Sequence, residues 1–224
     1  YLKAVINFAL SEYALDVRNP FIGVYHDRNA GVLVRKPIPI DDIRNIQSEC
    51  RAINDDMRWL IALISDTGMR LAEGSGLLKQ DFIGLDTDLP FVRVTKHPWR
   101  NLKTVSSERK IPLVGEALWA ARRILEADTA SNFAFPRYNR TSQTAANSAS
   151  AALNKWLKQY VPDGCTMHSF RHSMRDRLRT VQCPSDITDQ IGGWTTDGVG
   201  QGYGSGYPMS VLNEWVEKAL VGLD

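Results

Sequence analysis

The chain has 224 residues, 43% of them hydrophobic, with 27 Lys and Arg against 25 Asp and Glu for a formal net charge of +2. That is apolar material for one substantial core plus a fragment of a second domain, and no apolar run reaches the roughly 20 residues of a membrane-spanning helix. The three cysteines, at positions 50, 165 and 183, lack paired spacing, which excludes a disulfide framework and fits a reducing cytoplasm.

The near-balanced total hides a sorted distribution. From Arg93 to Lys110 six Lys or Arg accompany one acid, and from Arg171 to Arg179 four Arg accompany one Asp. One such run is ordinarily a solvated face; two of them beside anion-handling motifs point to DNA. No secretory signal opens the chain, and Tyr1 in place of a Met is expected of a piece trimmed from a longer protein.

Residues 1–18 place Val5, Ile6, Ala9 and Leu10 on one helical face, a pattern that stops before Asn19-Pro20-Phe21. Residues 19–38, with Gly23, Gly31 and Pro37 as punctuation, read as a linker. The main domain, 39–224, is expected to open on a helix capped by Asp41 or Asp42, with Ile43, Ile46, Cys50 and Ile53 on one stripe. The near-continuous apolar run from Met57 to Ser65 predicts a central core helix ending at Thr67-Gly68. Arg70 follows at the start of a short helix, where backbone N–H groups and a guanidinium can point at one anion. Glu73, three residues on, shares its face and can hold the guanidinium in place. Asp66-Thr67-Gly68 invites comparison with aspartic proteases, but the required strand and second copy are missing.

Phe91–Thr95 alternates and is β-branched, and Arg109–Leu113 reads as its returning strand, with a long polar excursion between them. Gly115–Ala127 and Asn147–Tyr160 predict helices, the second buried through Leu153, Trp156 and Leu157; Ser131–Asn147 reads as a polar loop, whose Asn139-Arg140-Thr141 glycosylation pattern has no meaning in a cytoplasmic protein. The next helix starts near a Thr166 cap. It sets His168 and Arg171 on one face, turns Phe170, Met174 and Leu178 to the core, and points His172 away. A short helix over 185–191 leads into a Gly-rich loop carrying Trp194 and, nine residues later, Tyr203. The tail places Leu212, Trp215, Val216, Ala219 and Leu220 at helical spacing, a stripe that suits either its own core or a neighbouring protomer. Cys165, His168, His172 and Cys183 are the metal set that spacing offers; without a C-x-x-C half they predict no zinc, and no cofactor is expected.

The order Arg70, Lys103, His168-x-x-Arg171, Trp194, Tyr203, with Lys103-Thr and Arg109-Lys-Ile-Pro-Leu on the hairpin, resembles the tyrosine recombinases, or phage integrase family, over nearly the whole chain. The resemblance implies a mainly α fold with a small antiparallel β-sheet or hairpin, the catalytic domain fold of that family, preceded over residues 1–18 by the last helix of an N-terminal core-binding domain. It implies a site-specific recombinase or integrase of a phage or mobile element, acting without metal or ATP through a 3′-phosphotyrosyl intermediate. Tyr203 would attack the scissile phosphorus, Arg70 and Arg171 would grip the non-bridging oxygens, Lys103 would protonate the leaving 5′ oxygen, and His168 would take or relay the tyrosine proton. Lys96 rivals Lys103, since hairpin register is not fixed by one sequence. Most of the family has His where Trp194 stands; an indole donates a hydrogen bond but exchanges no proton, so Trp194 is assigned to positioning the phosphate or bracing Tyr203. Arg93, Lys96, Arg100, Arg109 and Arg175 are the expected DNA contacts. The implied partners are double-stranded attachment sites, a homo-tetramer assembled through the C-terminal helix, and accessory DNA-bending proteins. Two rivals remain: a type IB topoisomerase, which rejoins the same strand, and a decayed DNA-binding module.

Overall fold

The computed structural model describes residues 2–24, 36–102, 104, 107–127, 129–140, 143–194 and 206–221. The chain divides into two compact units, Tyr1–Val34 and Arg35–Asp224. In the first, helix α1 (Leu2–Glu12) buries none of its residues, and Val5 on its apolar stripe is 63% exposed. Its order comes from Asn19, whose side-chain amide donates to the Lys3 carbonyl (3.0 Å) and Asn7 Oδ1 (2.6 Å) while its own oxygen accepts from the Phe21 N–H. Most of the expected linker lies outside the described residues.

The second unit opens with α2 (Ile40–Ile53), whose N-cap position is Pro39 and not Asp41 or Asp42. Those two aspartates sit in the first turn, where the helix dipole favours them without a capping bond. Ile43, Ile46 and Cys50 are buried as the stripe requires, but Ile53 is 41% exposed, because the helix ends there on a left-handed Asn54. Burial pushes the Cys50 thiol up to about 12, so it packs as a small apolar group. Helix α3 (Asp56–Thr67), capped by Asp55 on the Arg58 N–H at 2.9 Å, is the centre of the core. Leu60 through Ile64 are fully buried, and the helix packs chiefly on α5 (Gly115–Glu126), then on α2 and on α7 (Ser169–Thr180).

Short α4 (Leu71–Ser75) leads into a three-stranded antiparallel sheet in the order β1 (Phe82–Ile83), β2 (Phe91–Val94), β3 (Arg109–Pro112). The register pairs Phe91 with Pro112 and Val94 with Arg109, the predicted hairpin, while β1 is too short to show any alternation. The expected loop at 131–147 also holds structure: β4 (Asn139–Arg140) and β5 (Gln143–Thr144) pair over buried Phe135 and Tyr138. Asn139 fixes that ribbon by donating to the Ser75 and Phe135 carbonyls at 2.6 and 2.8 Å.

Helix α6 (Ala146–Leu157) buries Leu153 and Leu157 and leaves Trp156 half-buried. Helix α7 begins at Ser169 and not on a Thr166 cap; the Ser169 hydroxyl instead accepts from the Thr166 N–H at 3.1 Å. After α8 (Ser185–Gly192), helix α9 (Met209–Val221) buries Leu212, Val216 and Ala219, and it is seated on α7 and β3 of its own chain. No described helix is long and apolar enough to cross a membrane.

Candidate active site

Helix α3 ends on Gly68 at φ 60°, a left-handed turn that reverses the chain against α7. A Cβ at Gly68 would stand 2.8 Å from the Met174 Cβ, so the close approach of these elements and the turn both demand glycine. The turn delivers Arg70 to the N-cap position of α4. Glu73 then closes a reciprocal grip: its Oε2 accepts from the Arg70 backbone N–H (2.9 Å) and its Oε1 from Arg70 Nη1 (2.6 Å). Arg70 Nη1 also donates to Ser107 Oγ on the hairpin, at 2.9 Å.

Arg171, in the first turn of α7, is 4% exposed. Its Nη1 donates to the Gly68 carbonyl at 3.0 Å and its Nη2 reaches the Gly193 carbonyl at 3.5 Å, so it is anchored two residues from Arg70 and one from Trp194. Burial, then the neighbouring Arg70 and Arg109 charges, lower its pKa from 12.5 to about 9. The two expected phosphate-gripping guanidinium groups are therefore close enough to repel each other. Helix α8 ends on Gly193, left-handed at φ 63°, and Trp194 folds back over Gly192, where a Cβ would fall 1.8 Å from the indole ring. The indole packs under two cations, Arg171 at 4.4 Å and Arg175 at 5.1 Å from the ring centroid. His168 occupies the N-cap position of α7, half-buried, its ring edge-on to exposed His172 at 5.3 Å; His172 therefore turns outward but stays in contact.

Lys103 and Tyr203 lie outside the described residues. Arg93 and Lys96 are exposed, and Arg175 is 40% exposed beside Asp189. Arg100 and Arg109, both expected among the DNA contacts, are largely buried. Arg100 is 3% exposed and bonds the Glu73 and Thr95 carbonyls, and Arg109 is 8% exposed and pairs with Glu73 Oε2 at 3.0 Å. Both are drawn inward, and for Arg109 the cause is the alternation of the sheet: it shares the face of buried Ile111 while Lys110 takes the outer one. The second basic run is likewise divided, with Arg177 buried on Asp66 Oδ1 at 3.0 Å and on the Ser65 carbonyl.

Burial alone would raise the Glu73 carboxyl, but Arg109 and Arg70 outweigh it and hold it below its ordinary 4.5. Ser107 and Asp189 are both contacts of this cluster, and Asp189 carries no motif that a sequence could show. Among the described residues no group of three His, Cys, Asp or Glu is placed to hold a metal ion, and Cys165 and Cys183 lie against backbone carbonyls. The cluster thus pairs Arg70 and Arg109 with one carboxylate and brings Arg171 beside them, an arrangement suited to an anion with several oxygens.

The model of the phage integrase family matches residues 38–205. Among solved structures, the Tn1549 transposon integrase in complex with circular intermediate DNA superposes with a TM-score of 0.60 at 17% identity, over 89% of this chain and 74% of that one. XerA recombinase gives 0.53 at 17%, over 98% and 72%, and a lambda integrase tetramer bound to a Holliday junction gives 0.53 at 16%, over 88% and 55%. No curated protein matches.

Proposed function

The chain belongs to the phage integrase family and is a tyrosine recombinase, a DNA-recombining enzyme, and on that premise we propose a residue-level course for its reaction. The observation that carries it is that Arg171, stacked on Trp194, donates to the Gly68 carbonyl two residues before Arg70, close enough for the two guanidinium charges to repel.

In this reading Arg70 and Arg171 hold the non-bridging oxygens of the scissile phosphate. The Tyr203 hydroxyl attacks phosphorus as His168 takes its proton; the bond to the 5′ oxygen breaks, and Lys103, or Lys96 in its place, protonates the departing oxygen. The products are a 3′-phosphotyrosyl link and a free 5′ hydroxyl. The link stores the free energy of the broken bond, so a 5′ hydroxyl from a second duplex reverses the step without ATP. Glu73 keeps Arg70 in place, and Trp194, pinned between Gly192 and two guanidinium groups, braces the site.

The finer reading extends to the whole protein. Residues 1–18 are the end of an N-terminal core-binding domain and 19–38 its linker to the catalytic domain at 39–224. The partners are double-stranded attachment sites in the cytoplasm, bound by a tetramer, with accessory bending proteins. One strand is cut per site, so exchange of two duplexes needs several protomers. A tetramer that exchanges α9 between protomers would take that helix from its seat on α7 and β3.

The test is covalent trapping on a nicked suicide duplex, with the modified residue mapped by mass spectrometry. The parent should form an adduct at Tyr203, and Tyr203→Phe should form none. An adduct-free parent would move the chain to a DNA-binding module. Relaxation of supercoiled DNA without intermolecular joining would point to the topoisomerase-like course.

A further inference from the structure

Arg109 takes no part in the reaction course above, yet its guanidinium bonds three separate elements. Nη2 donates to Glu73 Oε2 in α4 at 3.0 Å, Nε to the Ile191 carbonyl in the last turn of α8 at 3.0 Å, and Nη1 to the Ser107 carbonyl at the return of the hairpin at 2.7 Å. Each acceptor leads to a group of the proposed reaction. Glu73 holds Arg70; Ser107 touches Arg70 through its hydroxyl and follows Lys103 by four residues; Ile191 precedes Trp194 by three and Tyr203 by twelve.

We propose that Arg109 is a positioning residue of the cleavage step, a planar three-way tie that sets α4, the hairpin and the end of α8 in one register. This rests on the site reading above. Only a guanidinium can do it: its fork presents fixed, divergent donors, whereas a lysine ammonium is a single point on a flexible stem and satisfies one acceptor well. Misplacing reacting groups by about 1 Å costs on the order of 10²-fold in rate. A structural brace of the core alone would have no reason to reach both the hairpin return and the segment leading to the nucleophile.

The tie also carries charge. Glu73 is approached by Arg70 from its own helix, Arg109 from β3, Arg100 from the hairpin excursion and Arg171 from α7. Removing the Arg109 cation leaves the buried carboxylate paired to Arg70 but less well neutralised, so it takes up a proton at higher pH and then loosens Arg70.

The experiment is single-turnover cleavage of the nicked duplex across the acid and neutral range by the parent, Arg109→Lys and Arg109→Gln, with circular dichroism and DNA affinity measured alongside. Arg109→Lys should stay folded and bind DNA like the parent, keep the parent's acid limb, and lose about 10²-fold from the rate plateau. Arg109→Gln should lose at least as much and shift its acid limb to higher pH. Cleavage by Arg109→Lys at the parent's plateau overturns the proposal. So does an Arg109→Gln profile parallel to the parent's, or loss of the folded signal in both variants, which would make Arg109 a stability residue only. A parent that forms no adduct overturns the site reading itself and this tie with it.

Discussion

Glu73 is the residue on which the cation cluster turns: it is 3% exposed and ion-paired with both Arg70 and Arg109. Replacing it with Gln leaves two guanidinium groups without their carboxylate, and breaking a buried pair in this way costs about 3–5 kcal/mol. Thermal denaturation should show that loss in full at neutral pH. Because the folded carboxyl is held below its ordinary 4.5, its contribution is complete above that value and disappears as the pH falls through the folded one. The Tm gap between parent and Glu73→Gln should therefore close on acidification; a gap that widens in acid contradicts the assignment. The Arg70–Glu73 pair is legible in the sequence because a carboxylate three residues into a helix reaches back to the residue that caps it. Arg109, expected among the DNA contacts, is drawn inward. Its charge argues for the surface, but Arg-Lys-Ile on a strand places the Arg on the side of the Ile, and the alternation wins over the charge. Ser107 meets Arg70 only through tertiary folding.

At the level of elements, two junctions hold the site. The first is the end of α8, where the missing Cβ of Gly192 makes the space for the indole of Trp194. Gly192→Ala puts a methyl group into that ring, so the indole must leave Arg171 and Arg175. Cleavage should fall at least about tenfold while DNA affinity holds, the pattern expected when an interaction acts in the transition state. The second junction joins α3 to α7. Asp66 Oδ1 accepts from Arg177 Nη1 (3.0 Å) and Gln47 Nε2 (2.9 Å), and its Oδ2 accepts from the Glu116 N–H (2.9 Å). One carboxylate thus fastens α2, α3, α5 and α7. Asp66→Asn should destabilise by about 3–5 kcal/mol in chemical denaturation, and joint replacement of Asp66 and Arg177 by apolar residues of similar volume should cost less than the single change. Helices with a strong apolar period are readable in place and length, α3 above all. The β4–β5 ribbon is not, because its two-residue strands are held by Phe135, Tyr138 and the Asn139 side chain and not by a pattern of their own.

For the whole molecule, the total charge of +2 says little, and what counts is which cations remain outside. Arg93, Lys96 and Arg175 keep exposed side chains, whereas Arg100, Arg109, Arg171 and Arg177 are drawn into the fold. If Arg93 and Lys96 meet the DNA backbone, replacing both with Ala should weaken binding alike on every sequence and reduce the slope of log K against log salt by about 0.9 for each phosphate no longer neutralised. An unchanged slope places both residues away from the duplex. The buried arginines are also unequal among themselves. Arg109, Arg177 and half-buried Arg70 are each matched by a carboxylate, but Arg171, like Arg100, hangs from peptide oxygens, here those of Gly68 and Gly193, the left-handed residues that end α3 and α8. A peptide oxygen at a helix terminus brings only a fraction of a negative charge. Arg171 is thereby immobilised by dipoles, with no carboxylate bonded to it among the described residues, so under the proposed course a phosphodiester would meet a held guanidinium without first displacing a bonded acid.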